Sequence, residues 1–268
     1  MLEKPKMNTP IYYVDAFTDS LFSGNPAAVI FTDTEDSILM QSIASENNLS
    51  ETAFIRKHDN KFYIRWFAPS CEIDLCGHAT LASAYIFFNF INPDAHEFIA
   101  HSKKHGPLKV YRKDTNLYLD LPKDSIFEDY EYKNIIESSL NIFKPLKIYK
   151  GRDDLMVILE NESDVINAKP DFNQLKQIPM RGIIITAPSN DFDFVSRCFY
   201  PLTGVDEDPV TGSAHTTLIS YWSKLLNKKI MIARQASNRG GILLCEDGGS
   251  RVKIGGKAIL YMNGNINI

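Results

Sequence analysis

The sequence predicts an α+β protein of two related lobes, each a mainly antiparallel sheet or barrel wrapped around one central helix. Three observations carry this expectation. Short alternating or apolar segments bounded by Gly, Pro, Asn and Asp dominate the 268 residues, the pattern of many strands and few helices. Two stretches, "HATLASAYIFFNF" (78–90) and "SAHTTLISYWSKLL" (213–226), are apolar almost all round, as helices enclosed by protein are. The halves also repeat each other. "RWFAPS" at 65–70 matches "RCFYPL" at 197–202 as Arg-x-Phe-x-Pro, at an offset of 132, and "CGHATLASAYIFF" at 76–88 is echoed by "TGSAHTTLISYW" at 211–222. Two matches in the same order and at nearly the same separation indicate an internal duplication.

Taken in order, the first half offers strands at "IYYVDAF", "AAVIF", "TAFIRK", "KFYIRWF", "LKVYRK" and "LYLDL". The second offers "LKIYK", "LMVILE", "RGIIITA", "DFVSRCFY", "GGILLCE", "RVKIGG" and "AILYMNG". Besides the two enclosed helices, "EDSILMQSIASEN" sets Leu39, Ile43 and Ala44 on one face behind an acidic first turn, which suits the helix dipole. "KNIIESSLNI" and "DFNQLKQI" are further helix candidates. The polar, acidic "LPKDSIFEDYEYK" (121–133) is the best boundary. It divides the chain into lobes 1–125 and 126–268, with the last strand free to cross back to the first lobe.

The bulk numbers exclude several classes. A formal net charge of -4 is wrong for a nucleic-acid binder, which shows a basic face. No run approaches the ~20 apolar residues of a membrane span, and "MLEKPKMNTP" lacks the apolar stretch of a signal peptide. The expectation is a soluble, cytoplasmic protein. Four cysteines, Cys71, Cys76, Cys198 and Cys245, are too few for a disulfide framework. Their spacing matches no zinc motif, and no His-Glu-x-x-His occurs. Neither a phosphate-binding Gly-x-x-x-x-Gly-Lys nor a dinucleotide Gly-x-Gly-x-x-Gly is present, so no cofactor and no metal are expected.

The duplicated helix starts have a chemical use. The first turn of a helix leaves N–H groups unpaired and carries roughly half a positive charge. If the two starts converge across a cleft between the lobes, they make an anion site suited to a carboxylate. Gly77 and Gly212 let the backbone approach such a ligand, although each also eases a tight strand-to-helix turn.

With "GNPAAV" at 24–29, "NLSETAF" at 48–54, "CGHAT" at 76–80 and "EDPVTGSA" at 207–214, the chain resembles the phenazine biosynthesis PhzF-like family. That family shares its two-lobed fold with diaminopimelate epimerase. The motifs run in order over nearly the whole chain. The resemblance implies a cofactor-independent isomerase of a small cyclic or amino-acid-like carboxylate, and a homodimer. It implies Glu51 as general acid/base, with His78 and Asp208 as further catalytic groups and Ser213 as a substrate-binding group. Gly77, Gly212, Asn25 and Cys76 complete the expected substrate site. A carboxylate in a partly apolar cleft is protonated more readily than in water, because desolvation disfavours its charge, and such a group both takes and returns a proton near neutral pH. Simpler readings stand beside these: Glu51 as a surface glutamate, His78 and Ser213 as helix caps, Asp208 and Asn25 as turn residues.

Related racemases use two cysteines, one at each helix start. Here Cys76 occupies the first position, where a helix start lowers a thiol's pKa. The second position is Thr211, with no evident activating base. An amino-acid racemase working through Cys76 is therefore an alternative that lacks half its machinery. A Ser-His-Asp hydrolase of Ser213, His78 and Asp208 lacks the Gly-x-Ser-x-Gly elbow. A non-catalytic carboxylate-binding protein has no need of Glu51.

Overall fold

In the computed structural model, which describes residues 8–141, 145 and 147–268, strand pairing follows the repeat. The chain forms two units, one of Met1–Leu119 with Gly256–Ile268 and one of Asp120–Gly255. In the first unit, Asn8–Ala16 pairs antiparallel with Asn25–Phe31, which runs parallel to Glu51–His58. Glu51–His58 pairs antiparallel with Lys61–Phe67, which runs parallel to Glu97–Ser102, itself antiparallel to Gly106–Lys113. The second unit repeats the order: Lys147–Lys150 antiparallel to Asp154–Ile158, then Gly182–Pro188 parallel, Phe194–Tyr200 antiparallel, Ile230–Gln235 parallel and Gly241–Asp247 antiparallel. The final strand Ala258–Asn267 lies along Asn8–Ala16 in the first unit.

Each unit has one helix at its centre. Gly77–Ile86 packs against five strands of the first unit, and every residue but Tyr85 is buried. Small residues make this enclosure workable, because Gly77, Ala79, Ala82, Ser83 and Ala84 let sheet side chains approach the backbone closely. Thr80 and Ser83 turn their hydroxyls back onto the carbonyls of Cys76 and Ala79, so neither buries an orphan donor. The helix then relaxes into a π turn over Phe87–Ile91, where the sequence suggests unbroken α-helix to residue 90. In the second unit Ala214–Leu226 takes the same place, with Trp222 stacked on Phe194 and its Nε1 donating to Thr186.

The duplicated Arg-x-Phe-x-Pro does the same work twice. Arg65 makes a forked pair with Glu72 and lies 5.0 Å over the Phe67 ring. Arg197 forks onto Glu207 and lies 5.1 Å over the Phe199 ring. Each guanidinium reaches on to a neighbouring helical segment: Arg65 to Glu35 O and Ser37 Oγ, Arg197 to the carbonyls of Val165, Ile166 and Ala168. A planar fork of donors is required for this, which lysine does not offer.

Some local details differ from the pattern reading. The helix at "EDSILMQSIASEN" runs Ser37–Asn47 with no acidic residue in its first turn. Asp36 is instead the N-cap, accepting from the amides of Ile38 and Leu39, and the buried face is Met40, Ile43 and Ala44 with Leu39 at its margin. "DFNQLKQI" forms a single turn, Phe172–Leu175. A short helix, Glu162–Asn167, and the strands Glu97–Ser102 and Ile230–Gln235 carry too little periodicity to read from sequence. Residues 1–7, Ile142 at the end of "KNIIESSLNI" and Leu146 at the start of "LKIYK" lie outside the described residues.

His215, in the first turn of the second central helix, is wholly buried. Its Nδ1–H donates to Thr211 O at 2.8 Å, while Nε2 is buried with no hydrogen-bonding partner among the described residues. Burial lowers its pKa to about 4, with the Thr211 carbonyl opposing the shift. The sign follows directly: the unfolded chain binds a proton near pH 6.5 and the folded one does not until about 4, so stability falls with acidification across that window. The loss amounts to about 3 kcal/mol. His215→Gln removes the titration and keeps a donor, so denaturant unfolding between these pH values should fall less steeply for the variant; equal slopes would count against the assignment. For the core, Leu218→Ala on the same helix (fully buried) should cost about 2–5 kcal/mol in chemical denaturation. Ile38→Ala, at an 80% exposed position, should stay within about 0.5 kcal/mol.

Candidate active site

The parallel pairing of Asn25–Phe31 with Glu51–His58 sets Ala27 opposite Glu51. Because side chains alternate along a strand, Asn25 and Glu51 share a face, the face on which the central helix lies. Gly24 makes the entry to this strand. Its φ is +69°, and a Cβ there would stand 2.2 Å from Ala16 O, so only glycine brings the chain round to place Asn25.

The first turn of the helix then completes a cluster. His78 Nε2 lies 3.1 Å from Glu51 Oε2, Asn25 Nδ2 lies 3.1 Å from Nδ1, and Cys76 Sγ lies 3.5 Å from Nδ1. The ring and the thiol are 5% and 6% exposed, while the Glu51 side chain retains 17% exposure. The structure thus brings Asn25, Glu51, Cys76 and His78 together, residues spread over 54 positions of sequence. The contact of Oε2 with the ring is electrostatic rather than a well-directed hydrogen bond, and this buried oxygen has no hydrogen-bond partner among the described residues. Buried polar atoms are rarely left so, and an exception calls for an explanation.

The electrostatics separate the imidazole from the thiol. Burial opposes a charge on His78, but the acidic neighbours Cys76 and Glu51 outweigh it and hold the imidazole well above its ordinary value. Burial, reinforced by the Glu51 carboxylate, pushes the Cys76 thiol up to about 11, against the opposing pull of His78. At neutral pH the thiol is protonated, and the imidazole beside Glu51 takes up its second proton more readily than a free one. The position at a helix start, which by itself favours a thiolate, is the smaller effect because the sulfur is dry.

In the second unit, Asp208, Gly212 and Ser213 lie at the corresponding helix start. Thr211 donates its hydroxyl to Asp208 Oδ2, so a carboxylate does stand beside the threonine that looks unactivated in the sequence. Gln235 ties the pair down: its Oε1 accepts from Thr211 N, and its Nε2 donates to Asp208 O and Thr211 Oγ1. Nothing in the sequence flags Gln235, which ends the Ile230–Gln235 strand 24 residues away and is fully buried. Cys198 pairs with Asp208 across the strands, and burial together with that carboxylate raises its thiol far above the usual range. Neither helix start is capped by a side chain: Cys76 and Ser213 hold the N-cap positions without a capping bond. In the second unit the amides of His215 and Thr216 donate instead to the carbonyls of Gly212 and Ser213.

The duplication does not extend to the glutamate. Thr52 pairs with Phe67 and Ile183 with Phe199, so the repeat carries Glu51 onto Gly182. There a Cβ would meet the Tyr200 ring at 2.2 Å, and the second unit has no room for a carboxylate at that place.

An uncharacterized isomerase of Halalkalibacterium halodurans is 43% identical over 97% of this chain and 99% of its own length. The crystal structure of a phenazine biosynthesis protein of the PhzF family from Enterococcus faecalis superposes with a TM-score of 0.91 at 43% identity, covering 98% of this chain and 100% of that one. A hydroxyproline epimerase from Agrobacterium vitis, at 9% identity, shares the fold with a TM-score of 0.63 over 97% of this chain and 93% of its own. The α+β, epimerase-type architecture is thus that of known structures. The model of the phenazine biosynthesis-like proteins, PhzC-PhzF, matches residues 14–264, and the chain belongs to that family.

Proposed function

We propose that this chain is a cofactor-independent isomerase of a small cyclic or amino-acid-like carboxylate, with Glu51 as the acid/base that moves a proton between carbons. Isomerase activity is supported by family membership and by close relatives that bear that name. The observation that carries the role of Glu51 is its buried, unsatisfied Oε2 beside the His78 ring. A base with one oxygen held by charge and not saturated by donors keeps a lone pair for a substrate proton. The C–H proton passes to Oε2 as the electron pair moves into the substrate's conjugated system. The same O–H then delivers it to a second carbon on the same face. His78, as imidazolium, steadies the carboxylate before transfer and the developing substrate anion after it. Asn25 holds the far side of the ring, and a half-turn of its amide lets it partner either state of Nδ1.

The uncapped helix starts, Gly77–His78 in one unit and Gly212–Ser213 in the other, are the anion-binding elements that each unit offers to a substrate carboxylate. In this reading Asp208, held by Thr211 and Gln235, binds and polarises the substrate. The racemase alternative asks Cys76 to ionise, which its dry surroundings oppose.

Two experiments test the reading. In a metabolite screen in deuterated water, the parent protein should place deuterium at carbon in its substrate. Glu51→Gln should lose that exchange by at least about two orders of magnitude while binding the ligand within a few-fold. Full turnover by Glu51→Gln on a confirmed substrate would refute the mechanism. Cys76→Ser should keep a measurable fraction of turnover, whereas abolition of activity in a folded Cys76→Ser protein would favour the racemase.

A further inference from the structure

We propose that Glu51, Cys76 and His78 form a binding site for one thiophilic divalent cation, zinc foremost, which competes with the substrate's proton for the same atoms. The three side chains each offer one ligand atom, and these atoms lie within 4.8 Å of one another. Tetrahedral zinc holds nitrogen and oxygen at about 2.0–2.2 Å and sulfur at about 2.3 Å, so its ligand atoms stand roughly 3.3–3.6 Å apart. The Oε2–Nε2 and Sγ–Nε2 distances, 3.1 and 3.9 Å, lie within a few tenths of an ångström of that spread on either side, and the carboxylate–Sγ pair, within 4.8 Å, closes the set by rotation of the two side chains. A mixed sulfur, nitrogen and oxygen set suits zinc, whereas magnesium and calcium take oxygen alone.

Two observations besides the cluster point to a cation. Glu51 Oε2 is buried without a hydrogen-bond donor, an acceptor that a cation satisfies. An outer-shell partner also stands within reach. When Nε2 gives its lone pair to a metal, Nδ1 carries the proton, and the Asn25 amide 3.1 Å away receives it through its oxygen after a half-turn, which fixes the ring. The sulfur binds as thiolate and the imidazole through a deprotonated Nε2, so the thiol proton and the Nε2 proton both leave to solvent. Three protein ligands leave a fourth position for water or a substrate oxygen. The matching positions of the second unit are Gly182, Thr211 and Ser213, which supply neither thiolate, imidazole nor carboxylate, so the stoichiometry is one ion per chain. Inhibition of turnover by zinc rests on the reading of Glu51 as acid/base; binding of the ion does not.

The test is a titration of the full, chelator-stripped chain with cobalt(II) and then zinc, followed by absorbance and by competition with a chromophoric indicator. One equivalent should bind, with a cobalt–thiolate charge-transfer band in the near ultraviolet that zinc abolishes. Cys76→Ser should lose the band and weaken zinc by at least the roughly tenfold to hundredfold seen when an outer-shell partner is removed. Glu51→Gln should weaken zinc while keeping the band. Cys71→Ser, at an exposed thiol, and His58→Ala, at an exposed ring beside Asp59, should change neither. Absence of stoichiometric binding, or zinc affinity untouched in both Cys76→Ser and Glu51→Gln, overturns the site. Full turnover by Glu51→Gln would instead refute the acid/base role, while the cobalt band reports on the site independently.

Discussion

Complete burial of a helix is the constraint on which the rest of this structure depends. A helix satisfies its own backbone polar groups except in its first and last turns, so Gly77–Ile86 can lie inside a sheet only if its polar business is confined to its ends. The interior of the helix accordingly carries alanine, glycine, leucine and hydroxyls folded back on carbonyls. The start of the helix is where its polar groups then collect. Asn25, Glu51, Cys76 and His78 gather there because the register of two parallel strands delivers the first two to the face that the helix start covers.

The two units show which parts of the design are architectural and which chemical. The guanidinium fork onto a glutamate, stacked on a phenylalanine two residues on, occurs in both with nearly the same ring distance. The alternation of antiparallel and parallel pairings is also the same in both. Scaffold elements have thus been kept while the polar groups at the helix starts have parted. Glu51 corresponds to Gly182 packed on Tyr200, Cys76 to Thr211 and His78 to Ser213. One unit concentrates titratable groups, and the other offers a hydroxyl, a carboxylate and a glutamine locked by hydrogen bonds.

Within the first cluster, dryness governs the chemistry. The thiol that looks most reactive in the sequence is the group that burial neutralises. The imidazole, which burial alone would also neutralise, is drawn toward its charged form by its acidic neighbours. Glu51 keeps contact with solvent through part of its side chain, while its Oε2 is buried against the His78 ring.

The sequence by itself determined the fold class, the duplication and the identity of the two enclosed helices, because hydrophobic periodicity and a repeated motif are properties of the chain order. The resemblance of its motifs to the PhzF-like family implied roles for Glu51 and His78 that the residue pattern alone left open. The tertiary structure alone decided that Asn25 faces the His78 ring, that Gln235 secures Thr211 and Asp208, and that Asp36 caps a helix rather than lying in its first turn. It alone showed that Cys76 is held as a thiol and that Gly182 stands where a second glutamate would be. These depend on strand register and on the depth of burial, which set distances and dielectric between residues far apart in the chain, and no local pattern encodes either.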